Sequence, residues 1–306
     1  MRVVFAGTPE VAVPSLSQLA ASRHEVVAVL TRPDAPLGRK RVMTPSPVAA
    51  AAEALGIPVI RTAQLTGEVT SRIEALRPEL GVIVAYGGFV REPLLSLPAH
   101  GWINLHFSLL PRWRGAAPVQ RAIMAGDRHT GASVFQLEAG MDTGPVYASI
   151  TTRIGAEQSA GELLDELAVS GAELLADVVD AIDEGTARPV AQGGASSLAP
   201  KLSIDDARID WTEPAERVHA RIRGVTPEPG AFTMLGESRL KVLAARIPKD
   251  AHRLRTGQIV MRGDAVLIGT GTDALELVSV QAAGGRALPA AIWWRGVATS
   301  AELVAR

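Results

Sequence analysis

The chain contains no cysteine among its 306 residues. That removes disulfides, thiolate nucleophiles and Cys-ligated zinc as sources of stability or chemistry. Histidines number only six, and aromatic residues make up 4%. Apolar runs are short and broken by charges, Gly or Pro, so none approaches the roughly 20 residues a membrane helix needs. The opening MRVVFAGTPE passes directly from an apolar strand into a turn, without the long apolar stretch and cleavage site of a secretory signal. A cytoplasmic protein with no membrane partner is expected. Isolated carboxylates and scattered histidines show no ligand spacing, so no metal is expected. The GxGxxG fingerprint is also missing: FAGTPE supplies only Gly7, and Asp34 alone is a weak stand-in for a ribose-binding acid.

What is present is enough apolar material for full-sized cores, 47% of the residues, on a length that favours two domains. The net charge of −1 is unevenly spread. From residue 208 onward there are 14 Lys and Arg against 10 Asp and Glu, so the C-terminal part is mildly basic and the remainder acidic.

The first half alternates strands and helices. RVVFAG (2–7), EVVAVLT (25–31), PVIRT (58–62), LGVIVAYG (80–87) and GWINLH (101–106) are short, Val-rich runs suited to strands buried on both faces. Helical patterns at 14–22, 47–55 and 70–76 separate them. This order predicts an α/β fold with a doubly wound, Rossmann-like parallel sheet. A long helix over 159–185 closes a domain spanning 1–185. The segment 186–205 is rich in Gly, Ser, Ala and Pro and reads as a linker. In 206–306 a short helix precedes five strand-like runs separated by turns, which predicts a small C-terminal β-barrel.

One stretch concentrates chemistry: GWINLHFSLLPRWRGAAP (101–118). Residues i and i+2 of a strand share a face, so Asn104 and His106 point into one cleft. They do so at the carboxyl end of a parallel strand, where α/β sheets bind ligands. Downstream, Asp142 sits in the glycine-bracketed turn EAGMDTGPVY. An Asp beside a His orients it and holds its charge, and an Asn amide can stabilise an oxyanion, a donor worth about 3–4 kcal/mol. The trio suits acyl or formyl transfer to an amine, with direct attack by the substrate. Taken singly, a strand-end His is as readily a packed core residue and GMDTG an ordinary turn.

The strings AGTPE, VVAVLTRPD, VIVAYG, INLHFSLLPRWRGAAPVQRAIMAGDRHTG and GMDTGPV, in that order, resemble the formyltransferases that use 10-formyltetrahydrofolate. KLS…ARIDW (201–211) and PGAF extend the likeness over nearly the whole chain, toward members acting on the methionyl group of initiator tRNA. The resemblance implies roles. Asn104 would stabilise the oxyanion of a tetrahedral intermediate, His106 would handle the proton, and Asp142 would set the charge of His106. Ser108, Leu109, Leu110 and Pro111 would contact folate, with Tyr86, Gly87 and Gly88 as a wall for its pterin. The long loop 31–47 would reach the tRNA through Arg32, Gly38, Arg39, Lys40 and Arg41, joined by Lys201 further on. The C-terminal barrel would be of the oligonucleotide-binding type, with Arg223, Arg239, Lys241 and Arg246 as further basic candidates. A monomer is expected. Arg112 and Arg114, flanking Trp113, serve equally well as substrate contacts or as pins for their own loop. Departures from the family pattern fall at Glu228, Ile292 and Leu198, away from the proposed chemistry.

Other readings stay open at this level. An enzyme formylating an amino sugar or glycinamide ribonucleotide would share the trio, although a glycinamide enzyme needs no barrel of about a hundred residues. A non-catalytic RNA-binding factor would have no physical need for all three residues, and a dehydrogenase lacks its glycines.

Overall fold

The computed structural model describes residues 1–38, 40–250, 252–297 and 303–306. The chain forms two compact units. The first comprises residues 1–118, 130–152 and 164–199; the second comprises 119–129, 153–163 and 200–306.

The first unit is built on strands β1 (Arg2–Gly7), β2 (Glu25–Thr31), β3 (Ala35–Leu37), β4 (Val42–Thr44), β5 (Val59–Arg61), β6 (Leu80–Val84), β7 (Trp102–His106), β8 (Arg114–Gly115), β9 (His129–Gln136), β10 (Val146–Arg153) and β11 (Leu198–Ala199). Its main sheet runs in the order β10-β9-β7-β6-β1-β2-β5. From β7 through β6, β1 and β2 to β5 all neighbours are parallel. Every residue of β6 and residues 3–7 of β1 are buried, as two-sided coverage by helices requires.

Helices α1 (Val13–Ala20), α2 (Pro47–Ala54) and α3 (Gly67–Ala75) connect these strands. At the start of α2, the Ser46 hydroxyl accepts the Ala49 N–H at 3.0 Å and Pro47 opens the first turn. Both are standard start signals. Two features depart from the simple alternating reading. The loop after β7 and helix α4 (Pro118–Ala125) return the chain so that β9 runs antiparallel to β7. The loop 31–47 also carries an exposed hairpin, β3 pairing with β4.

Helix α5 (Ala160–Asp183) follows the expected helix closely. The segment expected as a linker has structure of its own, because β11 pairs in parallel with β8, Leu198 opposite Arg114 and Ala199 opposite Gly115.

The second unit contains α6 (Ala215–Gly224), β12 (Phe232–Leu235), β13 (Ser238–Arg246), β14 (Gln258–Arg262), β15 (Ala265–Ile268), β16 (Leu275–Ala282), β17 (Ala287–Pro289), α7 (Ala290–Val297) and β18 (Leu303–Val304). The path β12-β13-β16-β15-β14-β18 is closed by a bridge from Leu235 to Ala305, so the sheet forms a small barrel. Trp211, Val218, Ile222, Val242, Leu277 and Trp293 lie in its core. No helix among the described residues is long and apolar enough to cross a membrane.

Candidate active site

Strand alternation decides which side chains of β7 meet solvent. Leu105 turns toward α5, packing against Gly171, and Asn104 and His106 take the opposite side. Asn104 is half-buried and lines a cavity of about 460 Å³ in the first unit. Its amide makes no hydrogen bond among the described residues, so both its donors remain available to a ligand.

His106 is held on three sides. Its ring meets Phe135 edge-on, with centroids 6.3 Å apart. Nε2 lies 2.9 Å from the Trp113 carbonyl. A carbonyl only accepts, so Nε2 carries the proton and Nδ1 is the basic nitrogen of the neutral ring. Nδ1 in turn lies 3.7 Å from Asp142 Oδ2. Burial pushes the His106 pKa below its usual value, while the Asp142 carboxylate and the Trp113 carbonyl pull the other way. Burial wins, so the ring is neutral at neutral pH, with a free lone pair on Nδ1 beside a carboxylate that would welcome the proton.

Backbone geometry aims both partners. Trp113 has φ 61° and Asp142 φ 51°, a left-handed conformation that non-glycine residues adopt rarely and often at functional sites. Asp142 Oδ2 also accepts the Gly115 N–H at 2.7 Å. Gly115 has φ +123°, and a Cβ there would lie 2.7 Å from the Ala199 carbonyl oxygen. At Gly144 a Cβ would fall 1.8 Å from the Gln136 oxygen. The turn carrying Asp142 therefore approaches its neighbours more closely than any side chain permits.

Residues 192–199, which sequence reasoning treated as linker, complete this scaffold. Gln192 Nε2 donates to the carbonyls of Asp142 and Gly144 at 2.7 and 2.8 Å. Its Oε1 accepts from Arg114 Nη2 at 2.6 Å and Nε at 3.2 Å. Ser197 Oγ accepts the Trp113 N–H at 2.9 Å, and the Ser197 carbonyl accepts the Arg114 N–H at the same distance. Arg114 is thus a pin for its own loop.

The other candidates separate into groups. Gly88 lines the cavity, together with Phe89, Val90, Leu95, Leu137 and the turn 138–142. Those apolar positions escaped the sequence reading, and only the glycines around them signalled a loop. Tyr86 is buried and lines an adjoining cavity of about 460 Å³ with Arg32 and Arg91; Gly87 lines neither. Ser108 turns inward and donates to the Arg112 carbonyl at 2.6 Å, and the Leu110 N–H donates to Ser133 Oγ at 3.3 Å. Leu109 packs toward Gly131, and Leu110 and Pro111 are joined by a cis peptide. None of residues 108–111 lines the 460 Å³ cavity beside Asn104.

Arg32 Nη1 donates to the Ala63 carbonyl. Gly38, Lys40 and Arg41 are exposed around the tip of the β3–β4 hairpin, and Arg39 lies outside the described residues. Lys201 is exposed. In the second unit, Arg246 is paired with Glu276 through two contacts of 2.7 Å, and Arg239 stacks over Phe232.

Comparisons with known proteins identify the family. A family model described as formyl transferase matches residues 1–179, and one described as formyl transferase, C-terminal domain, matches residues 201–298. The chain is 62% identical over 306 residues to methionyl-tRNA formyltransferase of Clavibacter sepedonicus, covering all of both chains. It is 59% identical to methionyl-tRNA formyltransferase of Leifsonia xyli subsp. xyli, covering 99% of this chain and 100% of the other. Among solved structures, an N-formyltransferase from Helicobacter canadensis, in complex with folinic acid and dTDP-3-aminofucose, shares the fold. Its TM-score is 0.69 at 17% identity, over 90% of this chain and 98% of that one.

Proposed function

Since this chain belongs to the formyl transferase family, we propose that it transfers a formyl group from 10-formyltetrahydrofolate to the amino group of methionyl on initiator tRNA. The carrying observation is identity of 62% over the full length of a relative so named. A barrel unit of about a hundred residues follows the catalytic half, more than a glycinamide ribonucleotide acceptor calls for.

The cavity beside Asn104 fits a flat heterocycle: Phe89, Val90, Leu95 and Leu137 supply apolar walls, while Asn104 and Asp142 supply polar groups at one side. Bound there, the folate supplies the formyl carbon to be attacked. Asn104, with its amide unengaged, donates to the oxygen of the formyl group as negative charge develops, a donor worth about 3–4 kcal/mol. His106, neutral and proton-free at Nδ1, takes the proton that the methionyl amine sheds on attack. The Asp142 carboxylate, 3.7 Å away, stabilises the charged ring until that proton passes to the departing folate nitrogen. Lys40 and Arg41, exposed on the hairpin, and Lys201 offer charge to the tRNA backbone.

The test is direct transfer. Purified protein, 10-formyltetrahydrofolate and charged initiator tRNA should yield formylmethionine on the tRNA, and His106→Ala should slow its formation by about 10²–10⁴-fold. Failure of the wild type to produce it, with an amino sugar or glycinamide ribonucleotide formylated instead, would overturn the substrate assignment.

A further inference from the structure

A cavity of about 670 Å³ lies within the second unit and is lined by residues 126–129, residues 153–156 and Arg223. Four of its lining residues are basic in type, Arg128, His129, Arg153 and Arg223, against the single carboxylate of Asp127. Arg128, His129 and Arg153 are exposed, and among the described residues none of the three makes an ion pair. The corners that carry them are tied side by side, because the Ile154 N–H donates to the Arg128 carbonyl at 3.0 Å.

Arg223 is half-buried behind them. Its Nη1 donates to the carbonyls of Gly155 and Gln158 at 3.2 and 2.9 Å, while its Nε is buried with no partner among the described residues. Burial depresses its pKa, opposed by the Glu157 carboxylate. Glu157 is itself engaged with His219 at 3.1 Å. A fixed guanidinium and two exposed ones, gathered with a single carboxylate among the lining, form a site for an anion with several oxygens. Arginine forks match phosphate geometry.

Resting on the tRNA reading above, we propose that this cavity binds the phosphate backbone of the tRNA substrate, with Arg128 and Arg153 neutralising phosphates against the fixed charge of Arg223. The site fixes where the tRNA lies and takes no part in the chemistry.

The experiment compares the wild type with the double variant Arg128→Gln/Arg153→Gln, both sites exposed, by titrating charged initiator tRNA across about 50–200 mM salt. The logarithmic salt slope of affinity should fall by about 1 for each arginine removed. KM for the tRNA should rise, with kcat and folate binding unchanged. A control pair, Arg72→Gln/Arg77→Gln, removes two exposed charges from the first unit and should leave the slope unchanged.

An unaltered slope in the double variant, while the wild type formylates normally, would overturn the proposal and leave the function standing. An equal fall in the control pair would also overturn it, since net charge alone would then explain the effect. Micromolar binding of inorganic tripolyphosphate without any change in tRNA slope would assign the cavity to a small phosphorylated ligand instead. A wild type that transfers no formyl group to this tRNA would remove the underlying reading, and the site with it.

Discussion

Gln192 holds Asp142 from fifty residues away: its amide nitrogen donates to the Asp142 carbonyl at 2.7 Å and to the Gly144 carbonyl at 2.8 Å, while its oxygen receives Arg114. One side chain therefore couples the turn presenting the carboxylate to the loop presenting the Trp113 carbonyl. Both acceptors around His106 depend on it.

Gln192→Ala should leave three partners short of hydrogen bonds, costing about 1–3 kcal/mol for each group left buried and unpaired. The effect on kcat should be larger than on folate binding. Displacement of a catalytic group by about 1 Å can cost about 10²-fold, so kcat should fall toward that range while the folate Kd moves little. Steady-state kinetics with separate folate titration checks this, and a change in folate Kd alone would refute the positioning role.

Asn104→Ala and His106→Ala should separate the two kinds of stabilisation. Loss of the amide donor should reduce kcat by about 10²–10³-fold. Loss of the base should reduce it by about 10²–10⁴-fold. Exogenous imidazole should partly restore the second variant and leave the first unchanged. Single-turnover transfer on charged tRNA reads both.

The charge on His106 gives a signed pH prediction. Its pKa is held below the usual 6.5 by burial, with Asp142 opposing. The base form is needed, so kcat/KM should fall on the acid side with a midpoint below 6.5. Asp142→Asn keeps an oxygen that can accept the Gly115 N–H but removes the charge that raises the His106 pKa. The acid limb should therefore move further down even as the maximal rate drops. A limb moving upward in that variant would show that Asp142 acts on His106 other than by its charge.

Much of this site was readable before any coordinates. Asn104 and His106 declared themselves by their i, i+2 spacing at the end of an apolar strand, and Asp142 by flanking glycines that the close approaches at Gly144 and Gly115 now explain. Strands β1, β2, β5, β6 and β7 followed from short runs rich in Val and Ile, whereas the exposed hairpin β3–β4 did not. The antiparallel return of β9 did not, because α4 leaves the same sequence mark whichever way the next strand runs. Gln192 and Ser197 were invisible for another reason. A polar residue among Gly, Ala and Ser has no periodicity, and its meaning lies wholly in contacts 50 to 84 residues away. The cavity wall at Val90, Leu95 and Leu137 was hidden similarly, since apolar residues in a loop read like any others.

Acid should weaken the fold itself, and two buried histidines set the direction. His219 is buried, and its Nε2 lies 3.0 Å from the Ala245 carbonyl, so that nitrogen is the donor. Burial and then the Arg223 charge lower its pKa below 6.5, against the opposing pull of Glu157. His106 is lowered in the same direction. For a group whose folded pKa lies below its unfolded value, the unfolded chain binds the proton first as pH falls. The stabilisation is thus fully present above about 6.5 and declines below it until the folded pKa is reached. The melting temperature should drop between neutral pH and about pH 5. His219→Gln, whose amide can still donate to the Ala245 carbonyl, should flatten part of that decline. An acid slope identical in the variant and the wild type would mean that His219 carries the same proton affinity folded and unfolded, contrary to its burial beside Arg223.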